Sequence, residues 1–379
     1  MAEQQKVIVI GGGVVGLSCA WRLALAGARV ELLEARTPGE GATRAALGAL
    51  WPTNPLAEGP LQQLHRASLW EFEAFAGELA QRTGLAVGFK RLGRVELMHS
   101  EQAAVRVAEE AQAACAKWPA FGGDLPVMEV LEPGVLARRW PQVARTEYPA
   151  LLCRATGQVD VPQLIGALAA ACVAAGVELR THTKVTRLEG KGGRVTAVRT
   201  SEGVTEADAV LVAAGAWSAQ LAPEIAEVAP VRPAKGQGLA LQLPHGVRVE
   251  TIIKSEKIYL IPWEAAGEVL VGSTTEPEAG FDEMPTAAGR QTLLEGAGGI
   301  MAGLRHAIVL RHWAGLRPQN PAKRHPPIMG PHPRIGNLFI CAGHFKTGIG
   351  LSPRVSRLMS EMILMGKVAG ELEAFLPKG

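Results

Sequence analysis

Three glycines, the apolar run before them and one acid after them are the residues of this chain whose types and spacing most clearly carry chemistry. Gly11, Gly13 and Gly16 make G-x-G-x-x-G directly after Lys6–Ile10, a run of valine and isoleucine, and Glu34 follows roughly twenty residues further on. Gly11 permits the tight turn. Gly13 lets backbone approach a pyrophosphate closely, and Gly16 lets a helix pack on the strand. The helix start beyond the turn offers unpaired N–H groups and partial positive charge to phosphates. Glu34 can accept hydrogen bonds from a ribose diol. Together these residues read as a dinucleotide site, and they leave FAD and NAD both open.

Two further glycine turns follow strands much later in the chain. Asp208–Ala213 runs into Ala214-Gly215-Ala216-Trp217-Ser218. Leu338–Cys341 runs into Ala342-Gly343-His344-Phe345-Lys346-Thr347-Gly348-Ile349-Gly350. One nucleotide site built from both ends of the chain accounts for all three turns. The small-residue run from Gly39 to Leu50 suits backbone lying against a flat ligand. A helix start after Gly350 would suit negative charge on a reduced flavin ring.

The elements that must position these turns read as alternating strands and helices. Lys6–Ile10 and Ala28–Leu33 are buried strands around a helix over Cys19–Ala26. Leu61–Thr83 and Glu101–Lys117 are amphipathic helices. Phe89–Met98 between them reads as one strand, with Arg91 and Arg94 toward solvent. Residues 119–126 read as a loop and Pro133–Trp140 as a short helix. Asp160 or Val161 caps a helix over Gln163–Ala175, with Pro162 in its first turn. Strands are expected over Val177–Arg180, Val185–Glu189, Arg194–Thr200 and Val204–Glu206. More follow over Gly238–Leu243, Thr251–Ser255, Ile258–Pro262, Val269–Ser273 and Val309–Leu316. A helix is expected over Ala287–Leu294, and a closing one from about Ser352 to Met365.

Composition excludes several classes. Basic residues number 39 and acidic residues 36, interspersed, so nucleic acid is not the main partner. No stretch reads as a membrane span, and residues 1–5 are polar, unlike a secretory signal. The five cysteines, at 19, 115, 153, 172 and 341, are scattered with no C-x-x-C. That pattern fits a reducing compartment, buried thiols and no zinc site. A cytoplasmic protein without a metal is expected.

The motifs VIVIGGGVVGLS with Glu34, GATRAALGAL, VLVAAGAWS, IYLIPW with VLVGSTTEP, HWAGLRPQNP with PIMGPHP, and ICAGHFKTGIGLSP occur in this order over nearly the whole chain. In that order the chain resembles the glycine oxidase and D-amino acid oxidase family, with the thiamine-pathway glycine oxidases as the most similar branch. The resemblance implies FAD as cofactor. It implies an α/β fold with a Rossmann-like FAD-binding domain of the GR2 type, and a second, mixed, mainly antiparallel substrate domain. The implied division is 1–88, 150–222 and 305–379 for FAD, with 89–149 and 223–304 for substrate.

The implied reaction is oxidative deamination of a small amino acid or secondary amine, of the glycine, sarcosine, D-amino acid or D-proline type. Oxygen would then reoxidise the flavin. The alternative is a dehydrogenase on the same fold, for D-amino acids or hydroxyproline, passing electrons to a quinone or carrier. Homo-oligomers occur in the family.

By the same resemblance, Arg317 in the LRP motif holds the substrate carboxylate, for which a planar guanidinium is suited. Tyr259 hydrogen-bonds the same carboxylate. His344 and Lys346 lie near the flavin, and Lys346 stands where glycine oxidase has arginine. Thr275 replaces a methionine near the substrate, and Lys257 a histidine of the pocket wall. The implied cofactor residues are Gly11, Gly13, Val14, Val15, Gly16, Glu34, Ala35 and Arg36 in the first unit. Ala42, Thr43, Ala46, Gly48 and Leu50 come from the small-residue run. Val185, Ala214, Gly215 and Trp217 come from the middle, and Gly343, Thr347, Gly348 and Ile349 from the last turn.

Overall fold

A computed structural model describes residues 4–52, 54–118, 125–263 and 267–378. Most of the expected loop at 119–126 therefore lies outside the described residues.

A six-stranded sheet carries the glycine turns. Its order is Ile328–Pro331, Leu338–Ala342, Ala209–Val212, Lys6–Ile10, Arg29–Leu33, Glu178–Arg180. The last five run parallel, and Ile328–Pro331 is an antiparallel edge. Side chains alternate between its faces, as the pleat requires. Val7, Val9, Leu32 and Leu211 face one core, with Trp21, Phe72, Leu168 and Met359 from helices Val14–Leu25, Pro60–Thr83, Val161–Ala174 and Gly348–Met365. Ile8, Ile10, Val210 and Val212 face the other, against Val185, Val195 and Val198 of a three-stranded antiparallel sheet. Burial on both faces explains why these strands read as continuous apolar runs.

An eight-stranded sheet stands beside it, in the order Val309–Gln319, Arg232–Gln242, Glu268–Gly272, Ile258–Pro262, Ile252–Ser255, Arg94–Leu97, Ala150–Cys153, Met128–Leu131. Every neighbouring pair is antiparallel except Ile252–Ser255 with Arg94–Leu97. Helix Ala287–Ile300 buries Leu293, Ala297 and Ile300 against Leu239, Leu260 and Val271 on one face. The other face carries Tyr259, Ile261 and Leu270 against Leu47 and Trp51.

Several expected boundaries shift, each for a local reason. The first helix begins at Val14, because Gly13 already serves as its N-cap and the G-x-x-G segment is helical. The last helix begins at Gly348, and Pro353 sits inside it. Asp160 caps its helix as expected, its Oδ1 accepting from Gln163 N at 2.9 Å. The single strand expected over Phe89–Met98 is two, Lys90–Arg91 and Arg94–Leu97, separated at Gly93, whose φ is +68°. Arg94 is not on the solvent side. It is 7% exposed, with Nη2 3.1 Å from a carboxylate oxygen of Glu96 and its guanidinium over the Trp51 ring.

Strand Val309–Gln319 runs three residues beyond the expected end. It pairs with Arg232–Gln242 from Gln319↔Arg232 to Val309↔Leu241, so Arg317 lies inside a strand of the eight-stranded sheet. Ala150–Cys153 belongs to that sheet as well. Cys115 is exposed, whereas the other four cysteines are buried, and all five are free thiols. No described helix is long and apolar enough to cross a membrane.

Candidate active site

A continuous cleft of 2190 Å³ separates the two large sheets and collects residues from all three glycine turns. The first turn is tightly specified. Gly11 has φ +108°, and a Cβ there would stand 2.4 Å from the Ala213 carbonyl oxygen. Gly16 lies beneath the turn, where a Cβ would meet the Gly11 carbonyl at 1.9 Å, so it packs the helix and does not line the cleft. The helix start at Gly13 has no side-chain cap, but Val14 N donates to Thr43 Oγ1 at 3.1 Å.

The Glu34 carboxylate accepts from Gly12 N at 2.6 Å and from Arg36 N at 2.7 Å, which fixes it at the strand end. Arg36 stacks over Trp217, 5.1 Å from the ring centroid, and donates to both Glu283 oxygens at 3.2 and 2.7 Å. That carboxylate raises the Arg36 guanidinium above its ordinary value. Ala35, Val185, Ala214 and Gly215 line the same region.

The small-residue run comes close to the eight-stranded sheet. A Cβ on Gly315 would stand 2.2 Å from Ala45 Cβ, and Trp313 Nε1 donates to the Ala45 carbonyl at 3.0 Å. Val15, Ala42, Ala46, Gly48, Leu50, Thr347, Gly348 and Ile349 line the cleft, as does His344. Gly343 does not. It faces Asn320 and Val231 at φ +74° and turns the chain, which leaves Ala342 and His344 on the lining.

His344 and His65 are both buried, and burial lowers each imidazole to about 4. Both are therefore neutral near pH 7. The His344 Nε2 lies 3.8 Å from Cys341 Sγ, while His65 Nδ1 has no hydrogen-bond partner among the described residues.

Arg317 projects from its strand across Gly236. Its Nη1 donates to the Thr274 carbonyl at 3.0 Å and its Nη2 to Ser273 Oγ at 3.0 Å. A guanidinium carries five N–H donors, so these contacts fix its plane without exhausting it. Burial lowers it from its ordinary value, and it stays a cation. The Tyr259 phenol stands on the same wall, where Ser273 and the charge of Arg317 both act on it. Burial raises the Tyr259 phenol above its ordinary value, which keeps it a protonated donor. Trp51 meets the Tyr259 ring edge-on at 5.0 Å.

Lys346 Nζ donates to Thr275 Oγ1 at 3.1 Å. Water reaches the Lys346 side chain through the open cleft, yet surrounding protein atoms still lower its ammonium, as do the charges of Arg317 and Lys257.

The structure thus brings Arg317, Tyr259, Thr275, Lys346 and His344 to one cleft with the nucleotide turns. Sequence reading missed Ser273, Trp51 and His65, and misplaced Arg94. Ser273 lies inside VLVGSTTEP, but no motif marks Trp51, His65 or Arg94: each is an ordinary core or turn residue whose role depends on its partner in the fold. The one available signal was Gly315, a glycine in mid-strand, which marks a close approach.

The residues fit FAD. The glycine turn leaves no room for a Cβ, an acid is fixed at the next strand end, and helix Gly348–Met365 starts at the cleft with no side-chain cap. Glycine oxidase of Geobacillus kaustophilus is 30% identical over 378 residues, covering 99% of this chain and 97% of that one. The crystal structure of glycine oxidase from the same organism superimposes with a TM-score of 0.88 at 29% identity, covering 99% of both chains. That of iminodiacetate oxidase from Chelativorans sp. BNC1 gives 0.84 at 28% identity, covering 98% of both. The family model for FAD dependent oxidoreductases, DAO, matches residues 6–362, and the chain belongs to that family of FAD-dependent enzymes.

Proposed function

We propose that the protein oxidatively deaminates a small amino acid or secondary amine, of the glycine, sarcosine, D-amino acid or D-proline type. The product would be an imine that hydrolyses to a 2-oxo acid, with oxygen as the electron acceptor. The observation that carries this reading is the Arg317 guanidinium, held by Ser273 and Thr274 on the same cleft wall as the Tyr259 phenol. The similarity to glycine oxidases and an iminodiacetate oxidase supports it.

In this reading the first turn, Glu34 and the Gly348 helix start hold FAD, and FAD supplies the hydride acceptor. Arg317 presents a planar fork to the substrate carboxylate, and Tyr259 donates a second hydrogen bond to it. Fixing the carboxylate fixes the α-carbon, which is the positioning the reaction needs. The apolar walls Leu47, Trp51 and Ile258 limit water around it. An amine that enters neutral needs no general base, which agrees with neutral histidines. The eight-stranded sheet would be the substrate domain, with Ala150–Cys153 and Val309–Gln319 inside it. The six-stranded sheet would be the FAD domain.

Anaerobic mixing of the flavin-loaded protein with a panel of amino acids and secondary amines tests this reading. Bleaching of the flavin band by one of them is the expected result, followed by peroxide release on admitting air. Bleaching without peroxide would favour a dehydrogenase that uses a quinone or carrier. No bleaching by any amine would overturn the proposal.

A further inference from the structure

Lys257 and Lys346 line the cleft with Arg317, and among the described residues neither forms an ion pair with a carboxylate. Lys346 donates to the Thr275 hydroxyl and lies 5.1 Å from the Phe345 ring centroid, and Arg317 and Lys257 both act on its ammonium as like charges. Glu276 on this wall acts on Arg317, and no acid among the described residues pairs with either lysine. Glu276 accepts from Gln237 Nε2 at 2.7 Å and stands 3.8 Å from Lys235 Nζ. Glu256, beside Lys257 in the hairpin turn, makes no ion pair among the described residues.

A simple amino acid brings one carboxylate to these three cations. Once it sits on Arg317, two like charges remain in a cleft where protein atoms reduce screening, and a second anion would relieve them. The side chains differ in a way that matches two tasks. Arg317 is clamped by Ser273 and Thr274, which suits the carboxylate next to the reacting carbon. Lys257 and Lys346 are exposed point donors on flexible stems, which suits a group whose reach varies.

We propose that the preferred substrate is a dianionic amine. Its α-carboxylate binds Arg317 and Tyr259, and a second carboxylate, carried by the nitrogen or by the α-carbon substituent, binds Lys346 and Lys257. This rests on the amine oxidation proposed above and names its substrate class.

The test compares matched pairs on the flavin-loaded protein: sarcosine with iminodiacetate, and D-alanine with D-aspartate. The second-order rate constant for anaerobic flavin bleaching is measured for each. The dicarboxylate of at least one pair should be faster by roughly tenfold or more, the scale of one charge-assisted hydrogen bond. Added salt should slow the dicarboxylate more steeply than its partner. Lys257→Gln and Lys346→Gln, checked for unchanged flavin absorbance, should each shrink the ratio within the pair. Monocarboxylates that equal or exceed their partners overturn the dianion and leave amine oxidation standing. Lysine variants that slow both members of a pair equally also overturn it, because the lysines then serve something common to all substrates. Failure of every amine to bleach the flavin overturns the underlying reading instead.

Discussion

The Arg317 guanidinium lies directly over Gly236: a Cβ on residue 236 would stand 2.0 Å from Nη1 and 2.2 Å from Cζ. Gly236 pairs with Gly315 in the register of the two strands: Gly236 clears the space for the guanidinium, and Gly315 the approach of Ala45. Gly236→Ala should therefore displace Arg317 while leaving the nucleotide turns intact. The expected outcome is a KM raised about tenfold or more, the cost of one lost bond to a charged group. Flavin content should be normal. Loss of flavin together with activity would show a wider collapse.

Arg317 itself separates charge from geometry. Arg317→Lys keeps the cation but loses the fork, and leaves the Ser273 hydroxyl and the Thr274 carbonyl with a single flexible donor. If two charge-assisted bonds to substrate are lost or bent, kcat/KM should fall roughly a hundredfold, at ~1.5 kcal/mol for each bond. Arg317→Ala should fall further. Steady-state kinetics with the best amine of the panel decides. Activity in Arg317→Ala close to that of the unaltered enzyme would remove Arg317 from substrate binding.

Much of the nucleotide region was legible in the sequence, because local physics fixes it. Lys6–Ile10 reads as buried strand since both its faces are covered, and Gly11 reads as a turn since its φ of +108° excludes other residues. Arg94 shows where such reading stops. Strand alternation put it in water, whereas Glu96 and Trp51 bury it, and neither partner can be assigned from spacing. Gly343 is similar: it belongs to the right turn, but the turn directs His344, and not Gly343, to the cleft. Arg317 and Tyr259 share one wall only because strands 58 residues apart in sequence (259 to 317) lie in one sheet.

The first turn predicts a graded loss of cofactor. Gly11→Ala places a methyl 2.4 Å from the Ala213 carbonyl at a strained φ, so the turn and its strand pairing must move. FAD should be absent from the purified protein. Glu34→Gln is milder: the side chain still reaches Gly12 N, but the charge that suits a ribose diol is gone. The expected result is an intact fold by circular dichroism and an FAD dissociation constant raised about tenfold, the scale of one hydrogen bond to a charged group. Equal FAD affinity in Glu34→Gln would remove that acid from the cofactor site.

Buried histidine makes stability fall in mild acid. His65 titrates at about 4 in the folded protein, against an ordinary value near 6.5, because burial disfavours its charged form. Below pH 6.5 the unfolded chain therefore binds a proton at His65 that the folded chain does not, and stability declines as pH falls toward 4. Between pH 7 and pH 5 this one residue should cost about 2 kcal/mol of unfolding free energy. His344 behaves in the same way and adds to the slope. His65→Leu removes the proton and also an Nδ1 that has no partner among the described residues. Urea unfolding at pH 7, 6 and 5 should then give a shallower decline for the variant than for the unaltered chain, by about 2 kcal/mol over that span. Parallel declines would show that His65 takes up its proton while folded.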